Sequence, residues 1–169
     1  MLAHYKSWKG LKKWLEGALC DELKGRVSYF LTRYARVHNA YGRAAIELDG
    51  KPMVSFTWDK GYDQEADIHR GYEMGIGGYE KIKAHLKGDW DAHCVYSEWD
   101  FLASALEFRN LSIQDALKSE NYIVRILAIL DKRTGQRTLR AISDAREYEN
   151  DPDWVKLFYR LRMGASLKI

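Results

Sequence analysis

The run RVSYFLTRYARVHNAYGRAAIELDGKPMVSFTW, residues 26–58, decides the fold class. Its first part alternates. Val27, Tyr29, Leu31, Ala35 and Val37 fall on one face and Arg26, Ser28, Phe30, Thr32, Tyr34 and Arg36 on the other, and a period of two is the period of a strand. The odd-numbered face is the expected core face, with Arg33 as its exception. After a turn at residues 38–40, Ala44, Ile46 and Leu48 supply the inward set of a second strand, and Val54, Phe56 and Trp58 that of a third. Asp49 and Gly50 between them are a hairpin signal. Register discriminates between loop lengths. A two-residue loop would pair Ile46 with Met53 and turn Val54, Phe56 and Trp58 away from Ile46, whereas a three-residue loop keeps even positions opposite even ones. The longer loop is predicted, in a three-stranded antiparallel meander.

On the N-terminal side, Trp8, Leu11, Trp14, Leu15, Ala18, Leu19 and Leu23 recur at spacings of three and four, one stripe of an amphipathic helix over residues 6–23 with Gly25 as its stop. On the C-terminal side, residues 59–92 hold six glycines, at 61, 71, 75, 77, 78 and 88, and read as loops with one short helix, weakly signalled at 78–86. From Ser97 onward the pattern is helical. Ser97 and Asp100, then Ser112 and Asp115, have N-cap spacing, and helices are predicted at 98–109, 113–119, 122–132, 136–147 and 153–163. The 122–132 helix is apolar almost all round, which marks it as the central buried one. An offset of 31 residues aligns Val124, Arg125, Leu127 and Leu130 with Val155, Lys156, Phe158 and Leu161, the pattern of two HEAT-like helical hairpins. The expected architecture is α+β in one domain, 1–169: a helix and meander at 1–58, a glycine-rich region at 59–92, and a helical half at 93–169.

At 169 residues, 46% hydrophobic and with two prolines, the chain can bury a sizeable core without staples. Cys20 and Cys94 lack CxxC spacing and read as small buried hydrophobes. No stretch of about 18 apolar residues predicts a membrane span, and the first ten residues read as neither signal peptide nor anchor. The expected setting is the cytoplasm, with no membrane partner. A net charge of +3, from 27 basic and 24 acidic residues, does not demand a polyanionic partner, so any nucleic-acid reading must rest on a local patch.

The motifs of catalysis are missing: no GxSxG, no complete phosphate-binding loop around Gly75, Gly77 and Gly78, and no histidine pair at metal-ligand spacing. His93 and Cys94, with Asp89 and Asp91 just before them, form one crowded spot, but neighbours in an extended segment point to opposite sides. No catalytic residue, metal or cofactor is expected. The candidate binding face is the even side of the first strand, where Arg26, Phe30, Tyr34 and Arg36, extended by Arg43 on the next strand, mix cations with aromatics as single-stranded nucleic acid requires. The competing explanation lays the C-terminal helices over this face, making Phe30 and Tyr34 core residues and the arginines a snorkelling rim. A second basic cluster, Lys132, Arg133, Arg137 and Arg140, brackets Gly135. Its first two members sit where they would complement the dipole of the 122–132 helix. Arg125, alone on that helix, needs a carboxylate partner.

Three blocks, LKGRVSYFLTRYARVHNAYGRAAIELDG (residues 23–50), ALKSENYIVRILAILDKRTGQRTL (116–139) and WVKLFYRLR (154–162), resemble a family of small bacterial cytosolic proteins with no activity assigned to it. The resemblance implies a bacterial cytoplasmic setting and transfers no site residue. The functional expectation is a non-catalytic, regulatory module that binds another protein, with single-stranded nucleic-acid binding through the strand face as the alternative.

Overall fold

A computed structural model describes residues 8–32, 42–57, 74–77, 81, 84–85 and 87–164. The N-terminal stripe forms α1 (Trp8–Ala18), followed by a 3₁₀ turn (Asp21–Leu23). Leu11, Leu15, Leu19 and Leu23 are buried, while Trp8 and Trp14 lie half-buried at the edges of the stripe. Trp8 packs edge-on against Phe101 and Trp14 against Phe108, with ring centroids 6.1 and 5.7 Å apart, which ties α1 to the helical half.

The meander is β1 (Val27–Thr32), β2 (Arg43–Leu48) and β3 (Lys51–Thr57), antiparallel in the order β1-β2-β3. Tyr29 lies opposite Ile46 and Ile46 opposite Val54, so the apolar sets share a face as expected. The means differs from the prediction. Leu48 pairs with Lys51, so the loop is the two-residue Asp49-Gly50 turn, with both residues at positive φ, 51° and 79°. That combination suits the strand twist. Parity is restored by a bulge: Glu47 faces Pro52 but Ile46 faces Val54, leaving Met53 as the extra residue of β3. Pro52 is tolerated because β3 is an edge strand.

The helical half comprises α2 (Lys87–Ala92), α3 (Glu98–Asn110), α4 (Ile113–Leu117), α5 (Tyr122–Leu130), α6 (Gln136–Ser143), α7 (Arg146–Glu149) and α8 (Asp153–Arg162). The Ser97/Asp100 capping box forms in full, and the Ser112 hydroxyl accepts from Asp115 N–H. The predicted 136–147 helix is broken at Asp144 and Ala145. Ser143 Oγ donates to the Arg140 carbonyl at 2.9 Å and Ala145 is extended, the usual way a serine hydroxyl competes with a helix. The helix expected at 122–132 stops at Leu130, because Cys20 N–H donates to Leu130 O at 3.1 Å and Lys132 N–H to Ala18 O at 2.8 Å. This small bridge ties the end of α1 to the end of α5.

α3 lies across the face of the sheet that carries the odd-numbered residues of β1, with Phe101 stacked between Tyr29 and Phe56 at 6.4 and 5.2 Å. α5 is buried among α3, α4 and α8. The helices thus cover the face of Tyr29, Ile46 and Phe56, not the one that carries the even-numbered residues of β1, and Phe30 is half-buried instead of belonging to the core. That corrects the expectation that the C-terminal helices cover the even face. The reason is volume: Tyr29, Ile46 and Phe56 offer more apolar surface than the Ser28, Phe30 and Thr32 side, so the helices gain more by packing there. Arg125 has its partner, with Nη2 at 2.7 Å from both carboxylate oxygens of Asp151. Burial nevertheless pushes the Asp151 carboxyl above its usual range against the pull of Arg125. Both cysteines are free and buried, and burial raises the Cys20 thiol. Among the described residues no helix is long and apolar enough to cross a membrane.

Candidate functional site

On α3, Phe101, Ala105 and Phe108 turn to the core, while Asp100, Ala103, Ser104 and Glu107 recur at i, i+3, i+4 and i+7 on another face. That second stripe forms one wall of a groove of about 520 Å³. Trp90, Asp91, Val95 and Tyr96 form the opposite side, and Glu120 and Asn121 close it at the start of α5. Four acidic residues, Asp91, Asp100, Glu107 and Glu120, therefore line one hollow with an aromatic side, and no lysine or arginine is among its described lining residues.

The groove is held by hydrogen bonds. Tyr96 OH donates to Asp91 Oδ1, and Trp154 Nε1 donates to the Asp91 carbonyl at 2.6 Å. Burial, reinforced by Asp91, raises the pKa of the Tyr96 hydroxyl, so it stays a donor. Asn121 joins two elements: its Oδ1 accepts from Ile123 N–H at 3.0 Å to cap α5, and its Nδ2 donates to Ser104 Oγ at 2.9 Å and Glu107 Oε2 at 3.3 Å. Ser104 Oγ donates to the Asp100 carbonyl at 2.7 Å, which commits the hydroxyl to the helix. Asp100 accepts from Ser97 N–H and Oγ. The arrangement presents fixed negative charge beside apolar surface, which suits a cationic group on an apolar stem. Sequence reasoning did not single out this groove, because carboxylates from α2, α3 and the segment before α5 meet only in the fold. The polar stripe on α3 was its one readable trace.

The strand-face candidates fare differently. Arg26 is exposed and bidentate to Asp49, Nε to Oδ1 at 3.1 Å and Nη2 to Oδ2 at 2.7 Å, and this pairing holds the Asp49 carboxyl below its usual range. Arg43 lies over the Phe30 ring, 4.9 Å from its centroid. Ser28 donates to Glu47 at 3.2 Å, and Ala45, on the same side, is 0% exposed. The face is thus closed at its centre, and acids stand among its cations. Tyr34 and Arg36 lie outside the described residues.

The second cluster surrounds the α5–α6 turn. Lys132, Arg133, Arg137 and Arg140 are all exposed. Asp131, buried at the end of α5, accepts from Arg133 N–H, Nε and Nη2 at 2.7, 2.9 and 2.8 Å. Lys132 Nζ donates to the Gly17 carbonyl of α1 at 3.3 Å. The groups that satisfy the last carbonyls of α5 are others. Buried Arg162 donates from Nε to Ile129 O at 2.8 Å and from Nη2 to Thr134 O at 2.5 Å, and Thr134 Oγ1 donates to Ala128 O at 2.6 Å. The dipole role expected of Lys132 and Arg133 thus belongs to Arg162 and Thr134, since α5 ends early and Lys132 reaches α1 instead. A second hollow, about 540 Å³, lies between this turn and the Gly10, Lys13, Trp14, Gly17 face of α1.

At the crowded spot after α2, His93 is exposed, whereas Cys94 is buried with φ 54°. Among the described residues no three of His, Cys, Asp and Glu are placed to hold a metal ion. No curated protein matches the chain, and neither does any solved structure. A family model does match, over residues 7–163, and so spans the helix, the sheet and the helical half with both hollows. The chain belongs to the SF0329 protein family.

Proposed function

We propose that the protein is a non-catalytic, regulatory binding module of the bacterial cytoplasm, and that its groove between α2, α3 and the start of α5 receives a basic segment of another protein. The observation that carries this reading is the set Asp91, Asp100, Glu107 and Glu120 around one hollow of about 520 Å³ beside Trp90 and Tyr96. A lysine or arginine side chain would lay its methylenes along Val95, Ala103 and the rings, and bring its charge to the carboxylates. α5 packs on α8, and two HEAT-like hairpins built on these helices would fit the same role, since stacked helices present rigid concave surfaces.

The test uses a fluorescein-labelled twelve-residue peptide of alternating Lys-Leu and Arg-Ala, followed by anisotropy. Binding is expected to weaken with salt, and to weaken about fivefold in Glu107→Gln, whose charge faces the groove, as for a partly exposed ion pair. Equal affinity of wild type and the Glu107→Gln/Glu120→Gln double variant would remove the reading.

A further inference from the structure

We infer that the basic shelf formed by Lys13 of α1 and by Lys132, Arg133, Arg137 and Arg140 around the α5–α6 turn binds the phosphate backbone of single-stranded nucleic acid. Three observations lead there. The first is uncompensated charge. Among the described residues no carboxylate lies within ion-pair distance of Lys13, Lys132, Arg137 or Arg140, and all of them are exposed. Asp21, whose carboxyl feels the charge of Lys132, is itself bonded to Lys24 at 2.6 Å. Arg133, although held by Asp131, is itself exposed.

The second is shape. Lys13, Lys132 and Arg133 line a hollow of about 540 Å³ together with the half-buried indole of Trp14. Arg109 lies over that indole, 5.8 Å from the ring centroid. A stacked guanidinium beside an aromatic ring is a surface on which a base can rest while phosphates meet the lysines. This combination distinguishes a nucleic acid from an acidic peptide, which has no use for the planar surface. Gly10 and Gly17 bracket Trp14 on the same face of α1. A Cβ at either would meet no described atom within 4 Å beyond the helix's own backbone, so the surface beside Trp14 on this face has room for a ligand.

The third is rigidity. The turn that carries Lys132 and Arg133 is fixed from beneath by Arg162 and Thr134, and from α1 by the Lys132–Ala18 backbone bond of 2.8 Å. The cations are presented on a frame that does not have to order when a strand binds.

The probe is a labelled twelve-nucleotide oligothymidylate, titrated with the full chain at 50 and 200 mM salt and followed by anisotropy. Five cations at about 0.7 counterions each predict a slope near −3.5 in log K against log salt, roughly a hundredfold loss of affinity over that range. Arg137→Gln/Arg140→Gln should reduce the slope by about 1.4 while leaving the thermal melt and the binding of the basic peptide unchanged, which separates this shelf from the acidic groove. Arg26→Gln, on the strand face, should bind like wild type. The proposal is overturned by absent or salt-independent binding, by an unchanged slope in the double variant, by loss of binding in Arg26→Gln, or by association with phosphatidylserine vesicles but not with the oligonucleotide.

Discussion

On the sheet, Arg26 stands against an acid and Arg43 against a ring; around the α5–α6 turn, most of the cations have no carboxylate partner among the described residues. Arg26 is gripped by Asp49 across the β1–β2 pair, Ser28 by Glu47, and Arg43 covers Phe30. Lys132, Arg137 and Arg140 have no such carboxylate among the described residues, and Arg133 alone is paired there. Backbone geometry is the cause. Paired strands place opposite side chains about 5 Å apart on a common face, so a charge on one strand almost always meets a neighbour on the next. A turn between helices splays its side chains outward, and its charge survives as surface potential. A basic cluster therefore means less on a strand than at a helix turn, even when the residue types are the same.

The largest effect is expected at Ala45. Because it is 0% exposed on the side of Ser28 and Phe30, Ala45→Lys should bury a charge and cost about 4 kcal/mol or more, read as collapse of the urea midpoint. A variant of near wild-type stability would mean that this face is open after all. Next comes Arg162→Met, which strips two carbonyls beneath the turn of their donors and should cost about 3 kcal/mol. Denaturation should show it directly, with weakened oligothymidylate binding as the companion effect of a loosened shelf.

Gly42, at the start of β2, should be third. A Cβ there would stand 2.5 Å from the Thr32 carbonyl and 2.7 Å from Glu98 Oε1, and Glu98 is itself buried. Gly42→Ala is expected to lose about 2 kcal/mol through overpacking, while leaving the salt dependence at the turn untouched. The smallest effect belongs to Arg26→Gln. Arg26 depresses the Asp49 carboxyl below its ordinary 3.8, so this pair adds stability above that pH and loses it as the pH falls through the lower folded value. The acid side of a Tm-against-pH curve between pH 5 and 2 should flatten in the variant, with little change at pH 7 because both partners are exposed.

The first-strand alternation, the α1 stripe and the capping pairs at Ser97 and Ser112 were legible because each is a pattern of near neighbours. The helix starts after Ser97, Ser112, Gly135 and Pro152 stand where those patterns put them. The hairpin shows where such reading stops. Parity correctly required Ile46 and Val54 to share a face, but the backbone met that demand with a bulge at Met53 and kept the two-residue turn. Two routes satisfied one constraint, and the choice lay in backbone twist.

The functional surfaces were less legible for a related reason. Sequence alone determined which residues are charged and which face of each helix or strand they occupy, because those follow from composition and period. Tertiary structure decided which charges remain effective. Arg26 meets an acid 23 positions away, and Lys132 meets a carbonyl 115 positions away. The acidic groove gathers side chains from α2, α3 and the segments before α3 and α5. Electrostatic compensation acts through distances of a few ångströms, and only the folded chain determines which residues come that close.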